Sequence, residues 1–567
     1  MIAKNQKVQL DINKIDLHDK ATCDMLSEGD TAAVFQMESD GMTRLMRQLA
    51  PTGFEDLIPL VALYRPGPLG SGMAEDFISG RHGKRTAAVL HPLLEPIVAD
   101  TYGVILYQEQ VMQITSALAG FTLGEADILR RAMGKKKAKE LDSMKEKFLK
   151  GAHDLHGIKQ DVAEKIFALL QHFAGYGFNK SHSAAYALVA YQTAYLKAHY
   201  PVEYMAAFLN SIIDTADKVS WYISVCDSMG IKVLPPDVNS SEAGFAVDGK
   251  AIRFGMGGIK SVGDIAVGSI ISEREKHGPY KDFFDFTKRV DSTKVNKRVV
   301  ENLIKSGSLD GFGAKRSQLL AVMDRALEIA SARQSDLASG QIGLFGEEEV
   351  QTLDNMALPN LPELPTLELL RLEKELIGFY VTGHPLDAYR ETLQKYTPIS
   401  KLNEENFRDG MQVTVGGIIS ENKLRTTKNG DRMANFILED FTGAINVIAF
   451  PKCYNGSAKE INADNLVKIS GIVKLDEETP RIFANFVEKL VKIRPEVHIY
   501  IDKTHDTREK QQELGKIFAR YPGDNPVYLH LLASGKVIKT NSHYWVNKEM
   551  TGFSAALKEL LGEKALK

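Results

Sequence analysis

At 567 residues, with 44% hydrophobic and 25% charged residues, the chain has the composition of a globular protein and room for roughly three to five domains. No apolar run approaches the ~20 residues of a membrane span, and the N-terminal MIAKNQKVQLDINK does not read as a signal peptide. The three cysteines, Cys23, Cys226 and Cys453, are too scattered for a zinc cluster or a disulfide framework, so a reduced, cytoplasmic setting is expected. The net charge of −3 conceals an asymmetry: residues 130–150 carry nine Lys/Arg against three acids, whereas 345–375 carry two against eight. A basic element in a near-neutral chain suggests a local site for a polyanion.

Residues 1–228 read as mainly helical. Pro66-Gly67-Pro68 is a rigid turn that fixes the direction of Arg65. TYGVILYQEQVM (101–112) leads into helical periodicity ending at Arg130-Arg131 and the lysine run Lys135, Lys136 and Lys137. In 173–201, FAGYGFNKSHSAAYALVAYQTAYLKAHYP, Gly175 and Gly177 interrupt a helical pattern and Asn179-Lys180-Ser181-His182 precedes a long apolar run. Ser181 is the expected N-cap of the following helix, whose free amides and dipole favour an anion, with Lys180 and His182 as further donors.

The composition changes near Lys232–Asp237. Two small helical units with hairpins follow, one around Gly257-Gly258-Ile259-Lys260-Ser261-Val262-Gly263 and one from Ser306-Gly307-Ser308 to Gly313. They resemble helix–hairpin–helix units, whose backbone amides hold DNA phosphates without reading sequence. Residues 331–367 are polar, Pro-containing and acidic, and predict a mobile linker. Inside it Gln341, Leu344 and Phe345 form a short peptide suited to a partner's pocket. Beyond 410 the period becomes alternating: Val413–Ile419, Ala434–Glu439, Ile445–Phe450 and Leu466–Val473 read as strands, joined by turns at Lys428–Asp431 and Thr442-Gly443. About five short strands fit an OB-type barrel, with Arg425 and Lys428 in a basic first hairpin suited to single strands. The last 75 or so residues read as a small mixed module.

The cations at turns and helix ends of 1–228 suit a polyphosphate, because several oxygens must be neutralised from different directions. With hairpins for duplex and a barrel for single strands, the implied ligand is a primer–template with an incoming nucleotide. The segments VFQMES, LYRPGPL, TYGVILYQEQVMQI, LRRAMGKKK, FAGYGFNKSHSAAYALVAYQTAYLKAHYP and GFYVTGHPL, along nearly all of the chain, resemble bacterial DNA polymerase III alpha subunits, the C-family replicative polymerases.

The resemblance implies a multidomain α+β protein: fingers (1–228), tandem helix–hairpin–helix region (229–330), linker with clamp-binding motif and a helical segment (331–400), OB domain (401–492) and small α/β C-terminal module (493–567). It implies that Arg130 and Arg131, with Lys180 and His182, hold nucleotide phosphates, and the turn and helix start read above add Arg65, Asn179 and Ser181 to that site. DNA would meet Lys135–Lys137, Gly258, Lys260, Gly263, Arg425 and Lys428, and Gln341, Leu344 and Phe345 would dock a sliding clamp. Other replicase subunits are expected partners, and a membrane is not.

The chain also departs from the pattern. Two-metal nucleotidyl transfer needs paired carboxylates, and the sequence contains no Asp-x-Asp; its nearest pairs are Glu38/Asp40, Glu75/Asp76 and Glu125/Asp127. In the family the catalytic aspartates belong to a palm upstream of the fingers, after a phosphoesterase-like domain, and this chain starts where fingers start. The expectation is a portion that holds nucleotide and DNA, has no catalytic residue or metal ligand of its own and is inactive alone, with Mg2+ bound mainly by the palm of the complete enzyme. The sequence admits two other readings: a non-catalytic DNA-binding and clamp-docking protein, and half of a split polymerase completed in trans.

Overall fold

The computed structural model describes residues 1–84, 90–134, 138–174, 177–213, 215–339, 356–402, 406–427, 429–475, 480–492, 496–548, 550–563 and 565–566. The chain folds as two units, Met1–Thr382 and Gly383–Lys567.

The first unit is built on the helix Lys180–His199. Its small residues Ala187, Ala190 and Ala194 let the helices Lys20–Glu28 and Leu57–Leu63 approach closely, and Tyr191 fills the space between them. The buried Tyr191 hydroxyl is satisfied on both sides, accepting from the Asp19 amide and donating to the Asp16 carbonyl, each at 2.9 Å. Lys197 is wholly buried, and its Nζ donates to the Asp30 carbonyl (2.9 Å) and carboxylate (2.6 Å). A second core forms where Gln108–Ala119, Leu123–Gly134, Ala138–His156 and Gln160–Ala174 pack around Ile114, Phe148 and Ile166.

A third core joins Met205 and Leu209, on the helix Pro201–Ser211, to Ile252, Phe286, Leu303 and Phe379. It carries a three-stranded sheet of β1 (Val233–Leu234), β2 (Ala246–Asp248) and β3 (Ala251–Arg253), in the order β1-β3-β2. Two turn passages into helices follow. In the first, a 3-10 turn Met256–Gly258 leads to the helix Asp264–His277. Gly258 is required by packing, since a Cβ there would lie 2.5 Å from the Phe254 ring. In the second, the helix Lys297–Lys305 turns through Gly307 (φ +81°) and a 3-10 turn Asp310–Phe312 into Arg316–Ser339. That last helix runs past residue 331, where polarity alone predicts a linker. Gln334 anchors it by donating to the Val290 carbonyl (2.6 Å) and accepting from the Ser292 amide (3.0 Å).

The second unit contains a closed barrel ordered β4-β5-β6-β8-β7. Its strands are β4 (Gln412–Thr426), β5 (Arg432–Glu439), β6 (Ala444–Ala449), β7 (Leu466–Leu475) and β8 (Pro480–Lys489), and alternate residues fill the core around Val415, Phe436, Val447 and Ile469. β6 and β8 run parallel, while the other pairs are antiparallel. The C-terminal module pairs β9 (Val497–Ile501) in parallel with β11 (Val527–Leu531), preceded by the short β10 (Pro522–Asn525), and β11 in antiparallel with β12 (Lys536–Lys539). The helix Arg508–Arg520 makes the crossover from β9 that a parallel pair needs, and it packs with Phe553–Leu561.

Candidate nucleotide and DNA interface

The start of Lys180–His199 is held by a seam between two separate chain segments. Phe178 and Tyr107 form a parallel bridge, with the Gln108 amide donating to the Phe178 carbonyl (2.9 Å) and the Phe178 amide to the Leu106 carbonyl (3.2 Å). Gln110 locks the Tyr107 side of the seam from within. Its Oε1 accepts from the Leu106 and Tyr107 amides, and its Nε2 donates to Ile97 and Thr101, so the buried amide is fully used.

The N-cap is Asn179, not Ser181: the Asn179 Oδ1 accepts from the His182 amide at 2.8 Å, and the helix begins at Lys180. The correction has a simple cause. A cap side chain must lie outside the helix to reach back to N2 or N3, and Ser181 already lies inside the first turn. The helix mouth is also occupied: Glu109 accepts from the Lys180 amide with both oxygens (3.1 Å each) and from Asn179 Nδ2 (2.9 Å). A carboxylate therefore already satisfies the helix dipole at this end.

The seam gathers the cations. Gln108 Nε2 donates to the Gly177 carbonyl and its Oε1 accepts from Arg130 Nη1, both at 3.0 Å. Arg130 is also forked onto Asp127 Oδ1 at 2.8 and 3.1 Å, and Asp127 Oδ2 pairs with Arg131 at 2.8 Å. These hydrogen bonds, the Arg130 one foremost, hold the Asp127 carboxyl below its usual range. Arg130 keeps 21% of its side chain exposed and Arg131 keeps 66%, so the first is enclosed while the second, though paired with Asp127, stands largely in solvent. The Arg65 guanidinium lies 4.3 Å from the Phe178 ring centre, and burial lowers its pKa. Lys180 Nζ sits between the Tyr107 ring (5.5 Å) and Asp100 (3.7 Å). His182 and Ser181 are exposed, with His182 against Phe178 and Tyr186.

Arg65, Arg130, Asn179, Lys180 and His182 thus meet along one seam, with Arg131 attached through Asp127. Sequence reasoning missed the residues that join them, Gln108, Glu109, Asp127 and Phe178. The signal for two of these was the polar triplet Gln108-Glu109-Gln110 directly before an apolar helix. Lys135, Lys136 and Lys137 lie outside the described residues.

Three of the carboxylates in the nearest pairs are engaged elsewhere. Glu38 accepts from the Tyr222 hydroxyl and the Ala33 amide, Glu125 caps Thr122 and pairs with Lys147, and Asp127 serves the two arginines. Among the described residues no three His, Cys, Asp or Glu side chains converge as a group that could hold a metal ion.

In the first turn passage the Lys260 backbone is tied on both sides. Its amide donates to the Leu376 carbonyl, and its carbonyl accepts from Asn302 Nδ2, both at 2.8 Å. Its side chain stays exposed, beside Gly263 at the open start of Asp264–His277. Arg316, 4% exposed, folds the second turn onto itself through Asp310 (2.7 Å) and the wholly buried Glu373 (2.9 Å). Glu373 in turn accepts from the Thr382 hydroxyl (2.8 Å).

In the barrel, the β4–β5 hairpin places Arg425 opposite Met433 with its side chain exposed, and Gly430 takes φ +87° in the turn. Lys428, and the clamp peptide Gln341, Leu344 and Phe345, lie outside the described residues. Among the described residues no helix is long and apolar enough to cross a membrane.

These parts define a nucleic-acid-binding protein assembled around a polymerase finger domain. Residues 1–156 match the bacterial DNA polymerase III alpha subunit finger domain, 230–319 a helix-hairpin-helix motif and 413–490 an OB-fold nucleic acid binding domain. The chain is 43% identical over 488 residues to DNA polymerase III subunit alpha of Vibrio cholerae, which covers 84% of this chain and 42% of that protein. It is 40% identical over 545 residues to that of Thermus aquaticus (94% and 44%). With the Pasteurella multocida subunit identity is 38% over 585 residues (100% and 50%). The chain belongs to the bacterial DNA polymerase III alpha family, and it spans half or less of the length of these relatives.

Proposed function

We propose that this chain is the nucleotide- and DNA-holding portion of a template-directed DNA polymerase. The complete enzyme adds a deoxynucleotide from its triphosphate to a primer 3′ end and releases pyrophosphate. The observation that supports the reading most directly is the Gln108 bridge, which fixes the Arg130 guanidinium beside the mouth of Lys180–His199 within a finger domain. Arg130 and Arg65 then present directed donors to phosphate oxygens, while Arg131 and Lys180 follow the charge as it moves. Asn179 keeps the helix mouth formed, and Ser181 and His182 line it. A triphosphate arriving there competes with Glu109 for the Lys180 amide.

Gly258, Lys260 and Gly263 meet duplex backbone, with Lys135–Lys137 as further cations, and Arg425 and Lys428 meet the single-stranded template. Gln341, Leu344 and Phe345 dock a sliding clamp, and other replicase subunits complete the assembly. Catalytic carboxylates and the bulk of the Mg2+ ligands come from outside this chain, so it is inactive alone.

The test is equilibrium binding of a fluorescent deoxynucleoside triphosphate to the 567-residue chain. Arg130→Ala is expected to weaken binding at least tenfold and Gln108→Leu severalfold, in line with about 1.5–3 kcal/mol for a hydrogen bond to a charged group. Unchanged affinity in Arg130→Ala would sink the reading.

A further inference from the structure

The segment Asp30–Ser39 is a strap that packs Ala33, Val34 and Met37 into the core and carries two exposed residues between them. Ala33 and Gln36 both take left-handed backbone (φ +63° and +62°), which side-chain-bearing residues avoid. Val34 and Met37 are buried on either side of Phe35 and Gln36, and those two are left exposed, Phe35 at 37%. The strained shape is fastened from three helices. The Phe35 amide donates to Thr193 Oγ1 (3.1 Å), the Tyr204 hydroxyl to the Ala33 carbonyl (2.5 Å) and the Tyr222 hydroxyl to Glu38 (2.5 Å). Among the described residues, none makes a hydrogen bond to the Gln36 side-chain amide.

The strap also ends a column of rings. Phe35 lies 5.4 Å from Tyr186, Tyr186 4.3 Å from His182, and His182 5.3 Å from Phe178, on which Arg65 rests. The column follows one face of Lys180–His199, from the cation seam to the strap. Stacked nucleotides advance roughly 3.4 Å per step along a strand. Each ring-to-ring step exceeds one such rise, so with the triphosphate at the seam the column offers ring faces beside the incoming nucleotide and its neighbour.

We propose that the strap is an additional DNA contact, in which Phe35 closes the ring column and Gln36 donates its amide to the minor-groove edge of the base pair beside the nucleotide. The minor groove is the favoured edge because every base pair offers an N3 or O2 acceptor there, whereas a major-groove glutamine would select one base. A contact of this kind checks the shape of a pair without reading its sequence. The proposal rests on the nucleotide-binding reading above.

The test uses the 567-residue chain and a fluorescent primer–template in which the purine of the primer-terminal pair is changed to its 3-deaza analogue, which lacks the N3 acceptor. The wild type is expected to bind the 3-deaza duplex about fivefold more weakly, the size of one ordinary hydrogen bond. Gln36→Gly keeps the left-handed backbone and removes the donor, so it should bind both duplexes equally and at the weaker level. A chain with Arg130→Ala should retain the 3-deaza ratio while losing nucleotide affinity. An equal affinity of the wild type for both duplexes, or a full 3-deaza ratio in Gln36→Gly, overturns the strap proposal. Retained nucleotide affinity in Arg130→Ala overturns only the nucleotide reading. Wild-type-like melting of Gln36→Gly confirms that the comparison is made on folded protein.

Discussion

The finger seam and the barrel hairpin both carry cations proposed to meet nucleic acid, yet they are built in opposite ways. At the seam Arg130 is fixed by Asp127 and Gln108, and the Arg65 guanidinium lies over the Phe178 ring. On the hairpin Arg425 stands exposed beside Leu424, itself 57% exposed, at the far end of a strand whose other half fills the barrel core. Fixed donors suit a ligand of one shape, because little side-chain entropy is lost on binding. Mobile donors suit a strand of any sequence, where charge matters more than direction. Preorganisation, not the number of cations, is what separates the two surfaces.

The comparison can be pressed hardest through the charges that are most enclosed. Glu373→Ala removes a partner of the buried Arg316 and an acceptor of Thr382, and about 3 kcal/mol of stability should be lost in urea unfolding. Lys423→Ala, which breaks the exposed pair with Glu421 on the hairpin, should cost less than about 1 kcal/mol. Equal losses would erase the distinction between enclosed and exposed charge pairs.

A smaller effect is expected from Arg425→Ala. Single-strand affinity should fall about two- to threefold, and the slope of log affinity against log salt should drop by about 0.7, the share of one phosphate contact on a single strand. A fall confined to one base sequence would mean that Arg425 reads bases. The smallest effect concerns Glu125. The hydrogen bond from Lys147, followed by those from Thr122, holds its pKa down to about 2. A carboxyl lowered on folding stabilises above its unfolded pKa and loses that contribution as pH falls. The melting difference between wild type and Glu125→Gln should therefore be full above about pH 4.5 and vanish as pH falls towards 2. A difference that persists below pH 2 would show that the carboxylate charge is not the cause.

Much of this was legible in residues close together in the chain. The alternation of Ala434–Glu439 and Leu466–Val473, the turn at Gly430 and the apolar run after Lys180 depend on local periodicity and turn chemistry. The seam was not legible in the same way. Gln108 meets Gly177 across 69 positions, and Asn179 meets Glu109 across 70. The Ser181 cap misled for a related reason: Asn179 and Ser181 are both good caps, and the register was settled by Glu109 binding the Asn179 side chain and the Lys180 amide together.

The sequence by itself determined most of the barrel strands, the main helices of 1–228 and the family, because helix and strand periods, Gly and Pro turns and motif spacings are written locally. Only the tertiary structure decided which cations are held and which are free, since that depends on acids and amides brought from distant segments. It also turned Phe35 and Gln36 outward. Val34 and Met37 claim the core on either side, and fastenings from Thr193, Tyr204 and Tyr222 hold a backbone shape that residues 30–39 would not adopt alone.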